Sequence, residues 1–229
     1  MGGILQWFTD PAHWSGADGV PVRILEHIYY ALLTLLVAAV IAIPLGLYVG
    51  HTGHGRFLVV SSANSLRALP TLGVLVLAVV GFGVGLGPAL AALVVLAVPP
   101  ILAGTYAGVQ AVDRAVVDAA HGMGMSEREV LFKVELPNAL PLIIGGLRSA
   151  TLQVISTATI AAYVALGGLG RYIIDGLSVR DYAEMAAGSI LVALLAVAAD
   201  LALAALQRAV VSPGLRTPRR VRRPAGASR

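Results

Sequence analysis

The sequence has no cysteine and little charge, and both absences exclude classes of protein. Without cysteine there is no disulfide framework, no thiolate metal site and no cysteine nucleophile. Charged residues make up only 12% of the 229 residues and aromatic residues 6%, whereas 58% are hydrophobic. Mean hydropathy is +0.85. A water-soluble domain is about a quarter charged, and a disordered chain is hydrophilic, so the sequence excludes both.

Lysine is also nearly absent. Lys133 is the single lysine of the chain, and it follows Phe132 rather than a glycine. A P-loop needs Gly-Lys-Ser/Thr to hold the phosphates of a nucleotide. The chain is therefore not itself a P-loop ATPase.

Five stretches are apolar enough, and long enough, to cross a bilayer core, which needs about 20 residues per helix. They cover about residues 27–49, 57–80, 88–112, 139–166 and 183–206. The second contains Asn64, Arg67 and Pro70, so it is either one kinked helix or two short segments. The sequence predicts an all-α polytopic membrane protein with five transmembrane helices, and six is the alternative.

The basic residues predict the orientation of the chain. Eleven of them lie in the C-terminal tail and in the loops on its side of the membrane, and three lie in the loops on the other side. Lys and Arg are enriched on the cytoplasmic side, so we expect a cytoplasmic C-terminus. The expected organisation is an external segment at 1–23, a transmembrane domain at 24–210 and a basic, disordered tail at 211–229.

The arginine-rich tail is expected to contact anionic membrane lipid. It has no aromatic residue that could stack on a base, so nucleic acid is not an expected partner.

Residues 113–137 form the only long polar stretch between two predicted spans. Asp113 can cap a first helix, and two glycines, the second of them Gly124, interrupt it. Ser126 followed three residues later by Glu129 has the spacing of a capping box, which begins a second short helix. We expect a tight glycine turn at the cytoplasmic surface, with no room for a side chain at Gly124. Such an element either docks into a cleft on a soluble partner or only links two spans.

The spacing of seven residues in this loop resembles a known motif. It follows the pattern Glu-Ala-Ala-x3-Gly-x9-Ile-x-Leu-Pro, the EAA loop of ABC-importer permeases, with Asp in place of Glu and Val in place of Ile. The matching residues are Asp118, Ala119, Ala120, Gly124, Val134, Leu136 and Pro137. The resemblance implies that this loop couples the permease to a separate ATPase.

Four further segments extend the resemblance to the permease subunits of importers for glycine betaine, choline and carnitine. They read NSLRALPTLG at 64–73, VPPIL at 98–102, ATIAAY at 158–163 and GGLGRYI at 167–173. The resemblance implies a MetI-like permease fold in the bacterial inner membrane, without enzymatic activity or a cofactor. The implied partners are two ABC ATPase subunits, a second permease copy or paralogue, and an external solute-binding protein. An importer for another small solute, such as an amino acid of the methionine type, is the alternative.

Candidate pathway or hinge residues are prolines and glycines at or near the spans, with one arginine and one tyrosine. A proline inside a helix removes a backbone hydrogen bond and bends the axis, which makes either a hinge or only a packing kink. The glycines at 167–170 form either an outer gate or docking site, or a simple turn. The candidates are Arg67, Pro70, Pro99, Pro100, Tyr163, Gly167, Gly168 and Gly170.

Ionisable residues within spans are costly and usually have a partner. For Arg67, Arg148 and Asp200, which lie within the predicted spans, we expect an intramolecular arginine–aspartate pair. An arginine lining the path would repel a cationic ligand, so we do not expect Arg67 to bind one. The aromatic residues within or near the spans are scattered, which argues against a tight cage for a quaternary ammonium group. Selectivity is therefore expected in the external binding protein.

Two rival classes and a metal site fit the sequence less well. A passive channel would not need a docking loop of this form. An integral-membrane phosphotransferase is suggested by DGLSVR at 175–180, but the other aspartates that its motif needs to hold metal are missing. The five histidines have no second ligand at metal spacing. They are therefore expected to be polar residues near the membrane ends, with no metal bound.

Overall fold

The computed structural model describes residues 2–57, 59, 61, 70–164 and 167–212, and all regular structure in these ranges is helical. A π-helical segment covers Val130–Glu135, and short 3-10 turns cover Pro11–Trp14 and Ala162–Val164. The prediction of an all-α fold is confirmed. The helices are α1 (Gly2–Thr9), α2 (Val20–Thr52), α3 (Thr71–Phe82), α4 (Leu86–Gln110), α5 (Arg114–Gly122), α6 (Glu127–Glu129), α7 (Leu136–Ala161), α8 (Gly170–Val179) and α9 (Tyr182–Val210).

Four helical stretches in the described part of the chain have the length and composition to cross a membrane: α2, α4, the continuous stretch Glu127–Val164, and α9. They correspond to the first, third, fourth and fifth predicted spans. In the second predicted span, α3 contributes a helix of 12 residues, which is short of the about 20 that a bilayer core needs. Pro70 directly precedes α3, and Arg67 lies outside the described residues.

The first membrane-spanning helix is longer than the apolar run from which it was predicted. Helix α2 begins at Val20, with a proline in its first turn. Backbone N–H groups in the first turn have no hydrogen-bond partner within the helix, so the N–H that proline lacks costs nothing there. Its polar N-terminal end is stabilised by a contact of 2.9 Å between Arg23 and Glu26. The expected boundary between residues 23 and 24 therefore falls inside this helix.

Helix α4 lies between α2 and α7 and packs closely against both. On one side, a Cβ added to Gly46 of α2 would lie 2.6 Å from Thr105 Cβ. On the other, a Cβ added to Gly146 of α7 would lie 2.7 Å from the Pro100 carbonyl oxygen. Glycine lets helix backbones approach this closely in membrane proteins. The helix continues through Pro99 and Pro100, and Pro99 is buried.

The loop of residues 113–137 is not two short helices, as the sequence suggested. Its second half runs without interruption from α6 through the π segment into α7, so this helical stretch begins at Glu127. Pro137 lies in the first turn of α7, shortly after the π segment. A proline cannot make the usual i to i−4 bond, and the helix nevertheless continues past it. The prediction of a separate second helix is therefore wrong.

Candidate functional site

The first half of the loop is a helix capped at both ends. The Asp113 side chain accepts a hydrogen bond from the Ala115 N–H at 3.0 Å, at the start of α5. At its end, the Met125 N–H donates to the Ala120 carbonyl at 3.2 Å and the Gly124 N–H to the His121 carbonyl at 2.9 Å. These two bonds form a Schellman motif with Gly124 in the left-handed position.

Glycine suits position 124 because of the backbone conformation there, and not because a neighbouring atom leaves too little space for a side chain. Its φ is +83°, and a Cβ added there would meet nothing within 4 Å. The expectation that a side chain would clash is therefore wrong. Left-handed backbone is costly for residues with a Cβ, and this cost makes glycine the suitable residue for the turn.

The second half of the loop begins with the predicted capping box. The Ser126 N–H donates to Glu129 Oε2 at 3.1 Å, and both halves of the box are formed. Lys133 donates to Glu129 Oε1 at 2.7 Å. The helix that leads into α7 therefore has a well-defined first residue.

The seven motif residues lie along α5, the turn, the π segment and the start of α7, and they divide into an exposed and a packed group. Asp118, Ala119, Gly124 and Pro137 are exposed, Ala120 is buried, and Val134 and Leu136 are half-buried. Leu136 packs on a cluster that includes Leu47 of α2 and Val109 of α4. Part of the motif thus attaches the loop to the helices, and part faces outward.

The outward face of the loop also carries large apolar side chains. Met123 at the turn is 76% exposed and Phe132 of the π segment is 57% exposed. Exposed apolar groups beside polar ones are typical of protein contact surfaces. The arrangement can present a rigid, capped helix end to a partner.

Sequence reasoning missed a set of ionic contacts that fastens the loop to α2. His51, in the last turn of α2, has Nδ1 2.6 Å from Glu135 Oε2 and Nε2 3.3 Å from Glu127 Oε2. On its other side, Glu127 Oε1 lies 3.3 Å from His121 Nε2. No sequence signal could have found this set, because 84 residues separate His51 from Glu135.

A cavity of about 250 Å³ lies beside these contacts, among the ends of α2 and α4, the helix α5 and the π segment. Both His51 and Asp118 line it, together with Arg114 and Glu135. The motif residue Asp118 therefore lies near the junction between loop and membrane helices.

The candidate gate glycines are packed against neighbouring helices. The Gly168 N–H donates to Glu26 Oε2 at 2.7 Å, and a Cβ on Gly167 would clash with the same carboxylate. A Cβ on Gly170 would clash with the Thr159 carbonyl oxygen of α7. Tyr163, by contrast, is largely exposed.

His27 is also in this region, and it is fully buried, with Nε2 3.0 Å from the Ile155 carbonyl oxygen. His27 is therefore packed inside the helix bundle, about two turns from the start of α2.

The N-terminal segment folds back on the same end of the molecule. The Trp7 ring is buried and packs edge-on against Tyr172 of α8, with 5.3 Å between ring centroids. The Tyr172 hydroxyl donates to the Asp18 carbonyl at 2.7 Å. Burial raises the pKa of Tyr172 to about 12, since the anion is poorly solvated there. The rings of this aromatic cluster pack directly against one another.

A family model described as "Binding-protein-dependent transport system inner membrane component" matches residues 42–213. Among curated proteins, the chain is 35% identical over 190 residues to the glycine betaine/carnitine/choline transport system permease protein OpuCB of Bacillus subtilis (strain 168). That alignment covers 83% of this chain and 88% of that protein. The chain is 34% identical to the choline transport system permease protein OpuBB of the same organism, with the same two coverages. It is 30% identical to the carnitine transport permease protein OpuCB of Listeria monocytogenes, over 96% of this chain and 98% of that one.

Among solved structures, the fold matches inward-facing conformations of the MetNI methionine ABC transporter. One such chain superposes with a TM-score of 0.74 at 23% sequence identity, covering 89% of this chain and 100% of that chain. At this identity the likeness concerns the fold, and it confirms the MetI-like permease fold expected from the sequence.

Proposed function

The chain belongs to the family of binding-protein-dependent transport system inner membrane components, and we propose that it is the permease subunit of an ATP-driven importer for quaternary ammonium osmoprotectants. Glycine betaine, choline and carnitine are the candidate substrates. The observation that carries the proposal is the identity of 30–35% to permeases named for these three compounds, over 83% or more of the chain.

In this proposal a separate ATPase binds the loop of residues 113–137. The exposed motif residues Asp118 and Ala119 and the exposed side chains of Met123 and Phe132 form the contact surface. Because α6, the π segment and α7 form one continuous helical stretch, a displacement of the loop is transmitted directly to α7. The work of ATP hydrolysis would thereby open and close a path between helices.

The path itself binds the substrate weakly, and an external solute-binding protein supplies the selectivity. Recognition of quaternary ammonium groups commonly uses several aromatic faces around one cation. Among the described residues, the ring contacts are the Tyr29–Tyr30 pair of α2 and the filled cluster around Trp7. Neither offers an open cage. A path without a tight site also releases its substrate quickly.

The orientation follows from the same assignment. An ATPase uses cytoplasmic ATP, so the loop and the C-terminal tail lie in the cytoplasm, as the basic residues also indicate. The segment of α1 and the 3-10 turn then lies outside, with α8 and the glycines at 167–170, where the binding protein would dock. The complete assembly has two ATPase subunits and a second permease copy or paralogue in the inner membrane.

Uptake in cells tests the substrate. The chain is expressed with its ATPase and binding protein in a bacterial strain that lacks its own osmolyte importers, and radiolabelled glycine betaine, choline and methionine are offered separately. We expect uptake of betaine or choline, and loss of that uptake when the binding protein is omitted. Uptake of methionine without uptake of betaine or choline would support the assignment as an importer and overturn the osmoprotectant assignment.

A further inference from the structure

The His51 ring lies between two carboxylates of the loop. It comes from the last turn of α2, whereas Glu127 begins α6 and Glu135 ends the π segment. The ring nitrogens lie 2.6 Å from Glu135 and 3.3 Å from Glu127. One side chain of a membrane helix thus contacts both ends of the stretch 127–135, which leads from the glycine turn to α7.

This geometry suits a protonated ring. A carboxylate oxygen can only accept a hydrogen bond, and only the imidazolium form of histidine has an N–H on both nitrogens. The side chains of His51 and Glu135 are only 16% and 9% exposed. A carboxylate with so little access to water needs a cationic or hydrogen-bonding partner, and His51 lies in the position to supply one.

The other charged groups around the ring are few. On the far side of Glu127, which is 73% exposed, lies His121 of α5. Arg114 and Asp118, also of α5, line the cavity that His51 borders. These two have opposite charge. In the described part of the chain, the carboxylates of Glu127 and Glu135 are therefore the groups in direct ionic contact with the ring.

We propose that His51 is a positioning residue for the coupling loop. As an imidazolium it ties the end of α2 to Glu127 and Glu135. It thereby gives the loop a second connection to the membrane helices, beside its continuous path into α7. Without the ring both contacts are lost and the loop loosens. This proposal rests on the proposed role of the loop in coupling ATP hydrolysis to transport.

The first test compares ATP-dependent uptake by the wild type, His51→Gln and His54→Gln in the complete transporter in liposomes. His54 is a matched control because it lies three residues further along and is exposed. We expect the wild type and His54→Gln to show similar uptake. Uptake by His51→Gln should be lower by on the order of tenfold, as for the loss of a charge-assisted contact.

A double variant separates pairing from a general defect. Glu135→Gln alone removes the nearer of the two carboxylates that contact His51. His51→Gln with Glu135→Gln leaves a neutral pair that can still form a hydrogen bond. Residues in contact give non-additive effects. We therefore expect the double variant to transport better than the product of the two single defects. Additive defects, or wild-type uptake by His51→Gln, would overturn the proposal.

Hydrogen exchange of the loop gives a readout that does not depend on the substrate. At about pH 6, amides of residues 113–135 should exchange faster in His51→Gln than in His54→Gln, and Glu127→Gln, an exposed change that should not impair folding, should have an intermediate effect. Equal exchange in all variants would overturn the positioning role. Failure of the proposed function has a different signature, namely no ATP-dependent uptake by the wild type while the exchange differences remain.

Discussion

Arg148 of α7 and Asp200 of α9 form a bidentate ion pair, although 52 residues separate them in the sequence. Arg148 Nε donates to Asp200 Oδ1 and Nη2 to Oδ2, each at 2.9 Å, and Nη1 donates to the Gln207 side chain at 3.3 Å. Parallel bonds of this kind are the strongest geometry for an arginine–carboxylate contact. The expectation of an arginine–aspartate pair within the spans is confirmed, and Arg148 is its arginine. Each residue compensates the charge of the other between two apolar helices.

Breaking this ion pair should destabilise the protein, and reversing it should restore part of the loss. Arg148→Met or Asp200→Leu alone leaves one charge without its partner, which is costly in an apolar environment. We expect a lower midpoint of thermal unfolding in detergent for each single variant, and a partial recovery in Arg148→Asp with Asp200→Arg. Arg171→Met, which breaks the i,i+4 contact with Asp175 within the single helix α8, serves as the control with little effect. Equal midpoints throughout would show that the pair does not hold α7 to α9.

Two adjacent glycines of α7 provide a matched test of the contact with α4. A Cβ on Gly146 would lie 2.7 Å from the Pro100 carbonyl oxygen, whereas a Cβ on Gly145 would meet nothing within 4 Å. Gly146→Ala should cost about 1–3 kcal/mol, the usual range for an overpacked contact, and Gly145→Ala should be neutral or stabilising. Thermal unfolding of the two variants checks this. A stable Gly146→Ala protein would mean that the helices lie further apart than described.

The left-handed backbone at Gly124 predicts a graded series of variants. Gly124→Val should cost about 1–2 kcal/mol for the unfavourable φ, and Gly124→Asn less, since asparagine tolerates this region. Gly122→Ala is the control, because Gly122 lies in α5 with free space at its Cβ. Transport should be highest in Gly122→Ala, lower in Gly124→Asn and lowest in Gly124→Val, while the amount of protein in the membrane stays similar. Wild-type transport by Gly124→Val would remove the turn from the mechanism.

The orientation can be measured directly, because the chain has no cysteine of its own. Met123→Cys in the loop and Val179→Cys at the end of α8 are suitable positions, since both side chains are largely exposed. Ser126 is less suitable because its side chain belongs to the capping box. In intact cells an impermeant thiol reagent should label Val179→Cys and not Met123→Cys. The reverse pattern would invert the topology.

Local sequence signals predicted well where α5 and α6 begin. The Asp113 cap and the box of Ser126 and Glu129 depend on residues two or three positions apart, so their partners could be found in the sequence itself. The apolar runs likewise predicted the four long membrane-type stretches. The junction at Pro137 was not predicted, because a proline after a polar loop usually marks a helix boundary, and here the helix continues past it.

Contacts between distant residues could not be read from the pattern. The sequence places His51 near the end of a predicted span, and only the packing of α2 against the loop brings it to Glu135. Trp7 and Tyr172 meet for the same reason, since the N-terminal segment folds back on α8. By contrast, an arginine–aspartate pair was predictable, because charges within apolar stretches need partners and few were present. The sequence left Arg67 and Arg148 both open as the arginine.

ATP-dependent accumulation in liposomes tests the central claim most directly. The permease is reconstituted with its ATPase and binding protein, and radiolabelled glycine betaine or choline is supplied on the side of the binding protein. We predict accumulation against a gradient with ATP, and none with a non-hydrolysable analogue or with the exposed change Asp118→Lys in the coupling loop. Equal flux with and without hydrolysable ATP would indicate a passive channel and contradict the account.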